Sequence, residues 1–305
     1  MTKRREFIKG LLAGSATTLS TPLWAKEKDH VDITILHTND LHSRIEPFPL
    51  SDPKYSGLGG FTRLSGKIND IRKEHENVLL LDAGDIFQGT PYFNLYGGEI
   101  EYKLMSEMGY FASTLGNHDF DNGIEGLLAQ VKNASFQFIN CNYDLSNSPL
   151  KEHVVPYKIK EFKGIRIGVL GVGIKLEGLV DKKNYGDIIY MDPIEHANET
   201  AKHLKLNEQC DLIICLSHLG YSYPDDRVSD IDLTVDNQYI DLIIGGHTHT
   251  FLDKPTKMKS IHGKKTMINQ VGWAGINLGK IDYRVQKLSG ESEISGTNLI
   301  VKSLV

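Results

Sequence analysis

Hydrophobic runs in this chain are short, rich in β-branched residues, and stop abruptly. The first is 31–36 (VDITIL); others follow at 78–81, 110–115, 136–141, 154–161, 165–172, 211–216, 239–244, 265–271 and 276–285. Runs of this length bounded by turn residues predict buried strands. Between them lie stretches of helical spacing. In 62–75 the residues Leu64, Ile68 and Ile71 share one face behind Thr62, a candidate cap. Segments 99–108, 123–132 and 193–206 read the same way, the last with Pro193 in its first turn. Lys163-Gly164 predicts a hairpin between its flanking strands. Segments 87–98 and 221–234 predict loops, as does 46–60, which carries Pro47, Pro49, Pro53, Gly57, Gly59 and Gly60. Strands alternate with helices early and hairpins come later. That order predicts an α/β fold of mixed sheets, a sandwich with its helices outside.

The strand ends share one design. The runs lead into HTNDLH (37–42), LDAGD (81–85), GNHDFD (116–121), LIICLSH (212–218) and GGHTHT (245–250), each bringing Asp, Asn or His to the strand end. Asp40 and His42 are two apart, as are His247 and His249. Extended residues at that spacing point the same way, which would let a carboxylate and an imidazole share an ion. The donors are carboxylate, imidazole and amide, with no thiolate. Such a set excludes a Cys-type structural zinc site and points to an open catalytic centre for Mn, Fe, Zn or Co. The donors are too many for one ion and suit two, with one carboxylate bridging. Paired ions about 3.5–4 Å apart clamp the attacking and leaving oxygens of a displacement. Their positive charge outweighs Asp40 and Asp85 and would attract a phosphate.

Composition is that of a globular protein: 40% hydrophobic and 24% charged over 305 residues, with 29 glycines for tight turns. The formal charge is −5, and without residues 1–25 the remainder is more acidic still. An acidic surface argues against gripping a polymeric nucleic acid. Three cysteines, Cys141, Cys210 and Cys215, are too few for a disulfide framework and read as buried thiols. Residues 1–25 differ in kind. Lys3-Arg4-Arg5 precedes a weakly apolar stretch and a small residue, Ala25. This resembles a twin-arginine export signal cleaved near Ala25, which implies a periplasmic protein without a membrane anchor in its mature form. Residues 26–30 then read as a linker, 31–286 as one catalytic domain and 287–305 as a tail.

Asp40-Leu41-His42, Gly84-Asp85, Gly116-Asn117-His118-Asp119, His218 and Gly246-His247-Thr248-His249 resemble the signature of calcineurin-like metallophosphoesterases. HTNDLHS, GDIFQGT, GNHDFD and GGHTHT resemble, more narrowly, the N-terminal catalytic domain of 5′-nucleotidases. The resemblance implies a four-layer α-β-β-α sandwich and a metal-dependent phosphoric ester hydrolase. It implies one ion held by Asp40, His42, Asp85 and His249, and another by Asp85, Asn117, His218 and His247. His118 would face the substrate and stabilise the leaving oxygen, and Asp121 would keep it cationic, unless Asp121 instead caps the following helix. Arg44 is a candidate for a substrate anion, with an ion pair to Glu46 as the alternative.

Members of the 5′-nucleotidase family continue into a second domain that binds the nucleoside. This sequence ends at Val305, soon after its last expected strand. Recognition is therefore expected either from the loops at 46–60, 87–98 and 221–234 or from a separate protein of the 5′-nucleotidase C-terminal type. The expected substrate is a nucleotide or other small phosphate ester. Two alternatives stay open: a thiosulfohydrolase of sulfur oxidation, and a metal-binding subunit with little turnover.

Overall fold

The computed structural model describes residues 29–302, so the expected export signal lies outside the described residues. Strand β1 (His30–Thr38) sits within a seven-stranded sheet. It runs parallel to β2 (Val78–Asp82), which is followed outward by β3 (Ala112–Ser113), β4 (Gln137–Ile139) and β6 (Val154–Val155). On its other side lie two antiparallel strands, β14 (Asn277–Gln286) and β15 (Ser292–Ile300). The second sheet has the order β12 (Thr256–Lys259), β13 (Lys265–Asn269), β11 (Leu242–Gly245), β10 (Leu212–His218), β8 (Ile165–Gly173), β7 (Tyr157–Phe162). Strands β5 (Tyr143–Asp144) and β9 (Ile189–Tyr190) form a separate pair.

Alternation along the strands makes the layers. In β10, Leu212, Ile214 and Leu216 pack toward Ile33, Ile35, Leu79 and Leu81 of the first sheet. Ile213 and Cys215 face the other way, onto Ala197, Ala201 and Leu204. A strand covered on both faces reads as an unbroken apolar run, which is why LIICL shows no polar positions. The outer face of the first sheet is covered by α1 (Phe61–Glu74), α2 (Pro91–Tyr96), α3 (Glu99–Met108) and α4 (Gly123–Val131). Leu64 and Ile68 of α1 are fully buried there; each such side chain contributes about 1.5–3 kcal/mol. The short α5 (Lys182–Tyr185) follows α4 along the chain. The second sheet is covered by α6 (Pro193–Leu206), capped by Asp192, and α7 (Asp230–Val235). This is the expected four-layer sandwich of mixed sheets.

Several elements differ from the sequence reading. Helix α1 begins one residue before Thr62 and has no side-chain cap. The chain enters it through Gly60, where a Cβ would lie 2.5 Å from the Pro47 nitrogen. The expected strand at 154–161 is divided at Pro156, with β6 joining the first sheet and β7 the second. Segment 87–98 contains α2, whose apolar face is little more than Phe93. Segment 221–234 leads into α7, started by a reciprocal Ser229–Asp232 capping box. The segment 287–305 is not merely a tail, because β15 extends the sheet along β14. As a largely exposed edge strand it carries too few apolar residues to stand out. All three cysteines are free and buried. Among the described residues no helix is long and apolar enough to cross a membrane.

Candidate metal centre

The parallel strands of both sheets deliver polar side chains at their carboxyl ends, where open α/β sheets bind ligands. Past β1 come Asp40 and His42; past β2, Asp85; past β3, Asn117 and His118. Strand β10 ends on His218, and β11 leads to His247 and His249. Ligand atoms of Asp40, His42 and His249 lie within 4.8 Å of one another, as do those of Asp85, His218 and His247. His42 Nε2 stands between the carboxylates, 3.9 Å from Asp40 Oδ1 and 4.0 Å from Asp85 Oδ2. Asn117 adjoins the second group, since the amide of His118 donates to Asp85 Oδ1 at 2.8 Å.

The convergence has a different cause from the one the spacing suggests. Asp40, His42, Asp85, His247 and His249 are not extended; all have positive φ, from 47° to 71°. Left-handed backbone costs a non-glycine residue about 1–3 kcal/mol and persists only where surroundings enforce it. Here the paired motifs are tight turns. Glycines let the turns approach: a Cβ on Gly116 would lie 2.2 Å from Asp85 Oδ1, and one on Gly246 2.9 Å from His218 Nδ1.

The donors are set up for cations. His42 Nδ1 bonds the Phe87 carbonyl at 3.1 Å and His218 Nδ1 the Ala83 carbonyl at 2.6 Å. Each contact places the proton on Nδ1 and leaves Nε2 facing the cluster. Burial lowers the pKa of His42 and brings that of His247 to about 4, favouring the neutral, ligating form. Burial also opposes a charge on His218, but Asp85, 3.1 Å away, outweighs it and holds the imidazole up to about 10. Asn117 Oδ1 is buried without a hydrogen-bond partner. A buried acceptor left open beside two carboxylates and four imidazoles fits a pair of divalent ions.

A family model for calcineurin-like phosphoesterases matches residues 33–251. The chain belongs to the calcineurin-like phosphoesterase family. It is 33% identical over 295 residues to a snake venom 5′-nucleotidase of Gloydius brevicauda, across 88% of this chain and 48% of the relative. The solved 5′-nucleotidase precursor of Thermus thermophilus has a TM-score of 0.80 at 31% identity, over 89% of this chain and 55% of that one. The calcineurin-like phosphoesterase YfkN of Bacillus subtilis has a TM-score of 0.73 at 27% identity, over 89% and 91% respectively. The phosphoesterase thus spans half or less of the length of the curated relatives it matches.

Three residues that the sequence reading left unassigned hold the phosphoesterase's site together. Asp119 accepts from the amides of Gly116 (2.8 Å), Asp85 (3.1 Å) and Ile86 (3.1 Å), tying two motif turns to one carboxylate. Burial, with Asp85 adding to it, raises its pKa to about 7. Asn39 donates to Asp40 Oδ2 and to the Gly272 carbonyl and accepts from Val271. Gln270 accepts from Thr248 Oγ1 and the Thr250 amide and donates to the Gly246 carbonyl, clamping GGHTHT. Asp119 and Asn39 lie inside the motif strings, so their position was a signal; Gln270 offered none.

His118 and Asp121 lie on the partly exposed side. Their Nδ1 and Oδ2 atoms are 3.0 Å apart, and this contact raises the pKa of His118 against the effect of its burial. The capping alternative for Asp121 is not realised, since α4 starts at Gly123 with Asn122 in the N-cap position and no side-chain cap. Arg44 does not form the alternative ion pair with Glu46. Its guanidinium lies 4.2 Å over the Phe48 ring, while Glu46 accepts from the Tyr92 hydroxyl.

Proposed function

We propose that the chain is an exported dinuclear-metal phosphoesterase that hydrolyses nucleotides or related small phosphate monoesters. The observation that carries this is the convergence of Asp40, His42, Asp85, Asn117, His218, His247 and His249 at the carboxyl ends of two sheets, with a His118–Asp121 pair at the open side. Asp40, His42, Asp85 and His249 would hold one divalent ion, and Asp85, Asn117, His218 and His247 the other. Such ions supply Lewis-acid polarisation of the phosphoryl group and activation of water at neutral pH.

The remaining work falls to the chain. Asp121 fixes one proton on His118 Nδ1 and, by favouring the cation, keeps a second on Nε2. That Nε2–H is the donor to a phosphoryl or leaving oxygen. The carbonyls of Phe87 and Ala83 orient His42 and His218. Export rests on the Lys3-Arg4-Arg5 pattern. Base recognition is assigned to the loops at 46–60, 87–98 and 221–234, or to a separate nucleoside-binding protein.

The test is phosphate release by the purified chain loaded with manganese or zinc. AMP, a UDP-sugar, cyclic nucleotides and an aryl phosphate are compared, and sulfate release from thiosulfonate substrates is measured alongside. Turnover of a nucleotide supports recognition by the chain's own loops, whereas turnover of the aryl ester alone supports a partner. His118→Ala should lower the rate about 10²–10⁴-fold. Sulfate release without phosphate release, or no loss in His118→Ala, refutes the proposal.

A further inference from the structure

His249 differs from His42 and His218 in how its ring is held. His42 and His218 are buried and tied through Nδ1 to backbone carbonyls. The side chain of His249 is 39% exposed, and its polar contacts run through Nε2, to His42 Nε2 at 2.9 Å and Asp40 Oδ1 at 3.4 Å. Its backbone is left-handed, with φ 51°. What lies along its face is the Trp273 indole, parallel to within 5° at a centroid distance of 5.5 Å. This is the offset stack that aromatic pairs prefer.

Trp273 is itself fastened on several sides. Phe48 meets its ring edge-on at 5.6 Å and Tyr55 at 6.1 Å, both from the loop at 46–60. The next residue, Ala274, takes a left-handed φ of 58° and donates its amide to the Asp40 carbonyl at 2.7 Å. Gly272 donates to the Thr250 carbonyl at 3.0 Å. The turn carrying Trp273 is therefore bonded to the turns carrying Asp40 and His249, two of the three donors in that group.

We propose that Trp273 is a positioning residue for the Asp40–His42–His249 ion. Its indole fixes the His249 ring plane by stacking, in place of the hydrogen bond that orients His42 and His218, and the aromatic cluster of the 46–60 loop holds the indole. The inference rests on His249 being a ligand. An imidazole that has given its lone pair to a divalent ion is electron-poor, and the negative face of an indole favours an electron-poor partner. Ion and stack therefore reinforce each other, and losing the stack weakens one ion of the two. Orienting groups of this kind are worth about 10–100-fold in metal affinity.

The chain has two tryptophans, Trp24 and Trp273, so a Trp24→Phe background leaves Trp273 as the single indole. Zinc is titrated into the metal-free full-length protein against a chelator, with bound metal counted after gel filtration. The parent should bind two ions, and Trp273→Ala should keep one while binding the second about tenfold or more weakly. Trp273→Phe should restore most of the affinity. Leu50→Ala, which removes an exposed side chain of the same loop, should leave both ions unaffected. Unaltered binding of both ions by a folded Trp273→Ala variant overturns the proposal. A second measurement does not depend on that variant's folding. Zinc is d¹⁰ and redox-silent, so a change in Trp273 emission on binding the second ion reports the stack. The change should occur in the parent and vanish in His249→Ala; no change in the parent, or one that persists in His249→Ala, also overturns it. A parent that binds no zinc refutes the ligand reading itself, an outcome distinct from two ions bound without dependence on Trp273.

Discussion

Adding one methyl group at Gly116 tests whether the two motif turns are locked against each other. Gly116 is not among the glycines with positive φ, so Gly116→Ala carries no backbone penalty and its cost is steric. The new Cβ would stand 2.6 Å from the Asp85 nitrogen, 2.2 Å from Asp85 Oδ1 and 2.7 Å from His218 Cε1. Opening the 2.2 Å contact even to 3.0 Å requires the turns to part by about 0.8 Å, more than the roughly 0.5 Å tolerance of a preorganised site. They cannot part freely, because the amides of Gly116 and Asp85 both donate to Asp119 Oδ2, at 2.8 and 3.1 Å. Overpacking of this kind costs about 1–3 kcal/mol. A weakened hydrogen bond to a buried carboxylate adds about 1.5–3 kcal/mol, for a total of about 2.5–6 kcal/mol. At about 2–4 °C per kcal/mol for a domain of this size, melting should fall by about 5–24 °C. The displaced Asp85 and His218 should also weaken metal retention. Calorimetry of the metal-free protein and a metal count after dialysis measure the two effects. Gly66→Ala is the control: Gly66 is an exposed position in α1 with nothing within 4 Å of its added Cβ. It should gain about 0.5–1 kcal/mol from lower backbone entropy in the unfolded chain. The same methyl is thus expected to act with opposite sign at the two sites. Equal melting of Gly116→Ala and the parent, with metal retained, would refute the locked arrangement.

Three further outcomes are expected. Asp121→Asn removes the contact that raises the pKa of His118, so the cation should be lost at lower pH. The alkaline limb of the kcat/KM profile should move acidward while the acidic side keeps its rate; an unmoved limb means that Asp121 does not tune His118. The same shift has a stability sign: a raised folded-state pKa stabilises below the unfolded value, and this is lost as pH rises through the folded one. Chelation should lower the melting temperature, since an ion held at a hundred times its Kd contributes about 2.7 kcal/mol; manganese or zinc should reverse the fall and magnesium-free buffer alone should not. Gln270→Ala frees the Thr250 amide, Thr248 Oγ1 and the Gly246 carbonyl at once. It should reduce affinity for metal about tenfold or more without unfolding the chain, and a variant with parental metal affinity would remove Gln270 from the site's support.

What the sequence determined by itself is local and periodic. Strand runs such as 212–216, the buried stripe Leu64–Ile68–Ile71 and the helix start at Pro193 each follow from side chains a few residues apart. Ligand-type residues at five strand ends were legible for the same reason, because a polar stop on an apolar run is a pattern along the chain. Tertiary structure decided what depends on residues far apart in sequence. The left-handed turns at Asp40, His42, Asp85, His247 and His249 exist because glycines such as Gly116 and Gly246 let distant motifs touch. Spacing alone suggested extended strands there. The division of 154–162 between two sheets at Pro156, and the addition of β15 at an edge, depend on partners that a run of side chains does not name. The roles of Asp119, Asn39, Gln270 and Trp273 belong to the same class. Each acts across a contact, and a contact is a property of the packed chain.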